Sequence, residues 1–316
     1  MKKIIFLILA IIFCSFSLAL PFDKEPSKFP EYFPPEEIAQ GAQYFDLQNT
    51  FVNVYCLGTG EGIPIDDPFK MVAGSFAQMG SGIYLNKGYI LTNAHVVRPS
   101  IVELQITNFY YNIVRIQKIT SQLIIVGGRL FEGNVPSTIE WIDEEADIAI
   151  LKVRGIWLPA KPLKYPIVRT VEYTPWGNYN YLQEGDALAM ITQARDDESG
   201  NKLWYFEVRE GNVINTHPEL PPSPEFEDWF VSWFSPNDVT MSVLLYPGDS
   251  GTPVFAFDNG KPVLVGLARA FVVGYRIQVW TSDDGQVVYI KVPIFYFYMT
   301  RIDPAIPFLK AHGAID

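Results

Sequence analysis

The stretch Tyr246-Pro247-Gly248-Asp249-Ser250-Gly251-Thr252-Pro253 sets a serine hydroxyl between two glycines and beside a carboxylate. A serine hydroxyl is a weak nucleophile at neutral pH. It attacks an acyl carbon only where a turn exposes it, backbone N–H groups receive the oxyanion, and a base takes its proton. Gly248 and Gly251 suit such a turn, because glycine reaches positive φ without a steric penalty and lets a ligand approach the backbone. Gly-Asp-Ser-Gly is also an ordinary turn between strands, so the chemistry stands or falls on a base and an orienting acid elsewhere in the chain.

Two segments offer them. Leu91-Thr92-Asn93-Ala94-His95-Val96-Val97 closes an apolar strand and carries one of the three histidines of the chain. Asp147-Ile148-Ala149-Ile150-Leu151-Lys152-Val153 puts an aspartate at the mouth of another apolar strand, and that downstream run favours Asp147 over its neighbour Asp143. His, Asp, Ser is one of the chain orders in which a nucleophile, its base and an orienting carboxylate are found.

Together these segments resemble the trypsin-like serine proteases, and among them the bacterial Deg/HtrA-type protease domain without a PDZ domain. Gly80-Ser81-Gly82-Ile83-Tyr84-Leu85 followed by Gly88-Tyr89-Ile90-Leu91-Thr92-Asn93 is similar to that branch's approach to its histidine, and Pro247-Gly248 to its approach to the serine. The resemblance implies two six-stranded Greek-key β-barrels with the active site in the cleft between them. His95 and Asp147 would come from the first barrel, about residues 50–155, and Ser250 from the second, about residues 165–300. It further implies Ser250 as nucleophile, His95 as general base, Asp147 as the group that fixes the imidazole, and the N–H groups of Gly248 and Ser250 as oxyanion hole.

The same resemblance places Leu244, six residues before the nucleophile, at the base of the pocket for the substrate's P1 side chain. Leucine there, in place of the Asp that would pair with Lys or Arg, argues against those residues at P1; the strand Val263–Phe271 would form the wall, and bulky Phe271 would make the pocket shallow and apolar, suited to small aliphatic P1 side chains. Arg269 on that strand would select an acidic P1 if it turned into the pocket, and would be inert if it turned to solvent. Asp249 lacks the N-terminal amine that the family's animal members place against it, which leaves an Arg, a Lys or a backbone N–H as its partner. Ile125-Val126-Gly127-Gly128 looks like such an activating N-terminus but lies after His95, so it reads as strand and turn. Thr252 departs from the second glycine of the animal enzymes.

Many short apolar runs between turn residues, with no long helical period, give an all-β protein. The strands expected are Ser81–Leu85, Tyr89–Thr92, Ile101–Thr107, Tyr111–Lys118, Leu123–Val126 and Ile148–Val153 in one half, with Phe51–Cys56 as a further strand-like run. The other half has Ile167–Glu172, Ala187–Thr192, Leu203–Val208, Asn212–Asn215, Met241–Leu245, Val254–Phe257, Val263–Phe271 and Val287–Tyr298. Asp303-Pro304 reads as the N-cap and first position of a short closing helix. Residues 217–240, rich in proline, acid and tryptophan, read as an insertion, either a functional loop or a surface elaboration.

At 316 residues and 48% hydrophobic content the chain can bury one core or two small ones. A net charge of −11 excludes a nucleic-acid footprint, which needs clustered Lys and Arg. His217 and His312 have no Cys or His at ligand spacing, so neither metal nor cofactor is expected. Lys2 and Lys3 ahead of the apolar run Ile4–Leu20, with Ser17-Leu18-Ala19 behind, read as a signal peptide over residues 1–19 and hence export; a retained membrane anchor is the alternative. Residues 20–45 form a Pro-rich acidic arm, and residues 46–316 the protease domain. With Cys14 removed, Cys56 stands alone and serves as a small buried hydrophobe without a disulfide. The function expected is an exported serine endopeptidase acting on proteins or peptides; the alternative is a catalytically inactive secreted binding protein on the same fold.

Overall fold

The structure, a computed structural model, describes residues 47–106, 109–128, 131, 133–154, 167–168, 182–196, 203–216, 235, 237–258, 261–281 and 286–315. The expectations for residues 1–45 and for most of the 217–240 segment lie outside them.

Within the described residues the first half contains β1 (Phe51–Pro64), β2 (Val72–Tyr84), β3 (Tyr89–Thr92), β4 (Ile101–Ile106), β5 (Phe109–Gly127), β6 (Asn134–Asp143) and β7 (Ile148–Lys152). Antiparallel pairing runs β1-β2-β3-β7-β6-β5 and returns to β1, which closes a six-stranded barrel; β4 lies outside the ring and bridges β5 to β2. The second half contains β8 (Ile167–Val168), β9 (Ala187–Asp196), β10 (Leu203–Asn215), β11 (Asp238–Met241), β12 (Pro253–Asp258), β13 (Lys261–Thr281) and β14 (Val287–Arg301). Here the ring is β9-β10-β11-β14-β13-β12 and back to β9, with β8 added in parallel to β13. The fold is therefore all-β, two closed six-stranded antiparallel barrels followed by a short C-terminal helix.

Apolar residues on both faces of β3 and β7 explain how the barrels meet. Ile90, Ala149 and Leu151 point into the first barrel. Leu91, Ile148 and Ile150, one residue out of phase, face the other way and meet Ile191, Phe255, Leu264 and Leu267 of the second barrel. A strand buried on both faces reads as a continuous apolar run rather than an alternating one, and that is the sequence pattern of both strands that lead to or from the candidate site. The helix α2 (Ile306–Ala311) closes the seam with Ile306 and Leu309. Asp303 lies inside a 3₁₀ turn ahead of α2, and Ile302, not Asp303, is at its N-cap.

Several elements run further than expected. The glycines of β1 look like strand ends, yet a Cβ at Gly58 would lie 2.4 Å from the carbonyl oxygen of Ser121. The strand passes between β2 and β5 there, and only glycine allows that approach. β5 is one strand where two were expected, because its polar middle, Thr120 to Gln122, is exposed while the pairing continues. The last residues of the presumed insertion, Asp238 to Thr240, are buried and belong to β11, which ends at Met241 where the expected strand began.

Leu309 is fully buried at the seam whereas Leu57 is 37% exposed. Leu309→Ala should cost about 2–4 kcal/mol in denaturant unfolding, through lost transfer energy and the cavity left behind, while Leu57→Ala should cost well under half as much.

Candidate active site

Asn93 has the extended backbone of a helix N-cap, but its side-chain amide donates to the Asp147 carbonyl at 3.0 Å instead of capping. The four-residue helix α1 (Ala94–Val97) that follows carries His95 at the mouth of the cleft. Asp147 sits just before β7 at φ +54°, a left-handed conformation that aspartate tolerates better than most residues. Neighbours brace it: Asp143, the rival carboxylate, accepts the Ala146 N–H at 2.9 Å, and the Thr300 hydroxyl donates to the Ala146 carbonyl at 2.7 Å. Asp143 thus braces the turn, and Asp147 meets the imidazole.

The Asp147 carboxylate takes the His95 backbone N–H on Oδ1 at 2.9 Å and His95 Nδ1 between its two oxygens, at 3.0 and 2.8 Å. With Nδ1 so engaged, Nε2 is the nitrogen left to accept a proton. Burial by itself would raise the carboxyl's affinity for protons. The imidazole, the His95 N–H and Arg269 outweigh it and hold Asp147 below the usual carboxylate range. A depressed value stabilises the fold above the unfolded carboxyl's pKa of about 4, and this contribution is lost as pH falls through the folded value.

The segment around Ser250 is a chain of tight turns between β11 and β12. Gly248 and Gly251 have φ of +98° and +87°. Asp249 N–H donates to the Tyr246 carbonyl, Gly251 N–H to Ala268 and Thr252 N–H to Asp249, at 2.8–3.0 Å. That leaves the N–H groups of Gly248 and Ser250 without an acceptor among the described residues. The first barrel grips this segment directly: Ser81 N–H donates to the Ser250 carbonyl at 2.7 Å, and its hydroxyl to that of Gly248 at 3.3 Å. A Cβ at Gly251 would stand 1.9 Å from the Ser81 carbonyl oxygen, so position 251 admits only glycine. The Ser250 hydroxyl donates to the Arg269 carbonyl at 3.1 Å, and not to His95.

Asp249 finds its partner in Arg209 of β10, whose Nη1 lies 2.5 Å from Oδ2. The Thr192 hydroxyl at 2.8 Å and the Tyr246 N–H at 2.7 Å complete the shell of Asp249. Arg209 also binds Glu207 at 3.0 Å and lies 4.4 Å from the ring centre of Tyr246. Burial pulls against its charge, but Asp249 and Glu207 hold the guanidinium above its ordinary pKa. No local motif marks Arg209; the signal was only that a buried carboxylate needs a counter-charge.

Arg269 takes neither of the two orientations expected of it. Its Nε donates to Asp147 Oδ2 at 3.0 Å and its Nη1 to Asp238 Oδ2, so it points behind the His95–Asp147 pair. Asp238 is completely buried, accepts the Ser235 N–H at 2.8 Å, and has its Oδ1 without a partner among the described residues. Burial raises its carboxyl to about 6 against the pull of Arg269. A raised value favours the fold at low pH, and that contribution is lost as pH rises through about 6.

His95, Asp147, Ser250 and Arg269 share one cavity of about 460 Å³, with Leu245, Ala270 and Phe271 as its apolar side. Phe271, expected in the pocket wall, lines this cavity. Leu244 does not line it: its side chain is 43% exposed, because the alternation of the segment turns Leu245 inward instead. Cys56 is buried beside β4, where desolvation raises its thiol pKa despite a hydrogen bond from Gln122.

Arg209→Met should lower stability by about 3 kcal/mol, because it strands a buried carboxylate. Adding Asp249→Asn should recover a large part of that loss, and a double-mutant cycle in urea measures the coupling.

The model of the trypsin-like peptidase domain matches residues 80–267, a span that holds all three of His95, Asp147 and Ser250. Among solved structures, the chain is similar to Deg5, with 18% identity over 89% of this chain and 98% of that one, at a TM-score of 0.47. It is also similar to the serine endoprotease from Yersinia pestis, with 16% identity over 86% of this chain and 65% of that one, at a TM-score of 0.42. No curated protein matches it. With well over half of its length covered by the family model, the chain belongs to the trypsin-like peptidase domain family.

Proposed function

We propose that the chain is a serine endopeptidase with His95, Asp147 and Ser250 as its triad. The observation that carries this reading is the joint presence, in one cavity, of an Asp-oriented imidazole and a serine whose own N–H and that of Gly248 are unspent. Rotation about the Cα–Cβ bond re-aims the Ser250 hydroxyl from the Arg269 carbonyl towards Nε2. Oγ then attacks the scissile carbonyl while Nε2 takes its proton, and the N–H groups of Gly248 and Ser250 receive the oxyanion. The imidazolium, steadied by Asp147, returns the proton to the leaving amine, and water repeats the sequence on the acyl-enzyme. Loss of one oxyanion donor costs about 100-fold or more in a comparable protease.

The substrates are proteins or peptides. With Leu245, Ala270 and Phe271 as the apolar side of the cavity, and Arg269 bound to two carboxylates, small apolar P1 residues fit best. Discrimination is modest, about 1–3 kcal/mol per methylene. Export follows from the reading of residues 1–19.

One observation favours a second reading, an inactive binding protein on this fold: the Ser250 hydroxyl is engaged away from His95. Labelling with a fluorophosphonate separates the two. The endopeptidase reading requires stoichiometric labelling of the wild type and none of Ser250→Ala. An unlabelled wild type that also cleaves no peptide would leave the binding protein.

Ser250→Ala and His95→Ala should each lower kcat by about 10⁴-fold or more while the protein stays folded. The double variant should be hardly slower than either, since the residues act as a unit. A peptide library read by mass spectrometry should show cuts after small apolar residues; a dominant cut after Lys or Arg would overturn the pocket reading.

A further inference from the structure

Arg269 makes an unusual use of charge. Asp147 already has two donors from His95, and its remaining strong position is filled by a full cation rather than by a neutral hydroxyl or amide. That cation arrives with its own buried anion, Asp238, on the side away from the imidazole. Asp238, Arg269, Asp147 and His95 therefore form a single file of alternating partners, two from the second barrel and two from the first.

We propose that Arg269 and Asp238 are a positioning pair that sets the basicity of His95. Their role rests on the endopeptidase reading only for its catalytic consequence, since the effect on the imidazole exists whether or not the site turns over. The physical argument is a count of charge behind the imidazole. Above pH about 6, where Asp238 is ionised, these three groups, taken among the described residues, sum to one negative charge, as a lone Asp147 would give. Without the charge of Asp238 the sum is zero, and the imidazolium keeps the adjacent Asp147 anion but loses part of its stabilisation, because the charge of Arg269 is no longer offset. Removing Arg269 as well restores one negative charge, on Asp147 alone. The pair also locates Asp147, because a guanidinium fixed at both ends holds the carboxylate from the second barrel while the His95 N–H holds it from the first.

Other charged groups face the same cavity and must stay constant. Arg98 and Glu144 pair at 2.8 Å on its rim, beside exposed Glu145. Tyr246 and the Arg209-bound Asp249 stand on the nucleophile side. None of them touches Asp238, so a substitution there isolates the file.

The test follows the His95 ring by NMR titration, assigned with His95→Ala, together with the acid limb of the kcat/KM profile. Asp238→Asn should lower the pKa of His95 by about one unit, the scale on which a nearby charge moves a titrating group, and move the acid limb down with it. Asp238→Thr replaces it if the asparagine variant does not fold. Arg269→Gln/Asp238→Asn should bring His95 back to within about a third of a unit of the wild type. An unchanged His95 titration in a folded Asp238 variant, whatever happens to its melting temperature, would overturn the proposal and leave the pair as a structural brace. Absence of turnover in the wild type would sink the endopeptidase reading instead, and the NMR arm would still decide the proposal.

Discussion

A carboxylate buried between two barrels is the constraint around which the molecule is arranged. Asp147 has 4% of its surface exposed, and an ion so placed is tolerable only when charge and hydrogen bonds surround it. The first barrel meets part of that need with the backbone and ring of His95, and the second meets the rest with Arg269. Neither half alone would leave the anion satisfied. Positive φ at Asp147, the brace from Asp143 and the hydroxyl of Thr300 are then means of aiming a group whose partners come from opposite sides.

The loop that carries Ser250 obeys the same logic with the roles exchanged. It belongs to the second barrel, where Arg209 and Thr192 hold Asp249, but its carbonyls at Gly248 and Ser250 are met by Ser81 of the first. Gly251 sits where any side chain would push the barrels apart. The close fit of backbone to backbone across the cleft engages the N–H groups of Asp249, Gly251 and Thr252 and the carbonyls of Gly248 and Ser250, and leaves the N–H groups of Gly248 and Ser250 open to an oxyanion. Pre-aimed dipoles of this kind need no rearrangement when charge develops.

How much of this a reader of the sequence can see depends on whether the determinant is local. His95 and Asp147 stand out because β3 and β7 are buried on both faces, so each polar residue ends a run of Ile, Leu, Ala and Val. The two-barrel class is visible for a similar reason, as a succession of short apolar runs. Strand lengths are less visible: Gly58 in β1 and the exposed middle of β5 look like punctuation, and β6 is almost wholly polar on its outer side. The ion pairs are the least visible. Arg209 lies 40 residues from Asp249 and Asp238 lies 31 from Arg269, and no spacing rule connects partners that only the closed barrel brings together. Asp238 was further hidden by the Pro-rich stretch before it, which made the start of β11 look like the end of a loop.

The C-terminal segment carries a consequence for the order in which the molecule can be made. Ile306, Leu309, Ala314 and Ile315 pack at the seam, and the Ala314 carbonyl receives the N–H of Asn86 from the first half of the chain. β14, which pairs with both β11 and β13, likewise follows both of them in the chain. A growing chain can close its first barrel early, yet Asp238 and Arg269 have no finished sheet to hold them until residue 301 has emerged. The seam stays open until about residue 315. A chain that has made both sheets but not yet residues 306–315 therefore lacks the apolar contacts that close the seam beneath the candidate site.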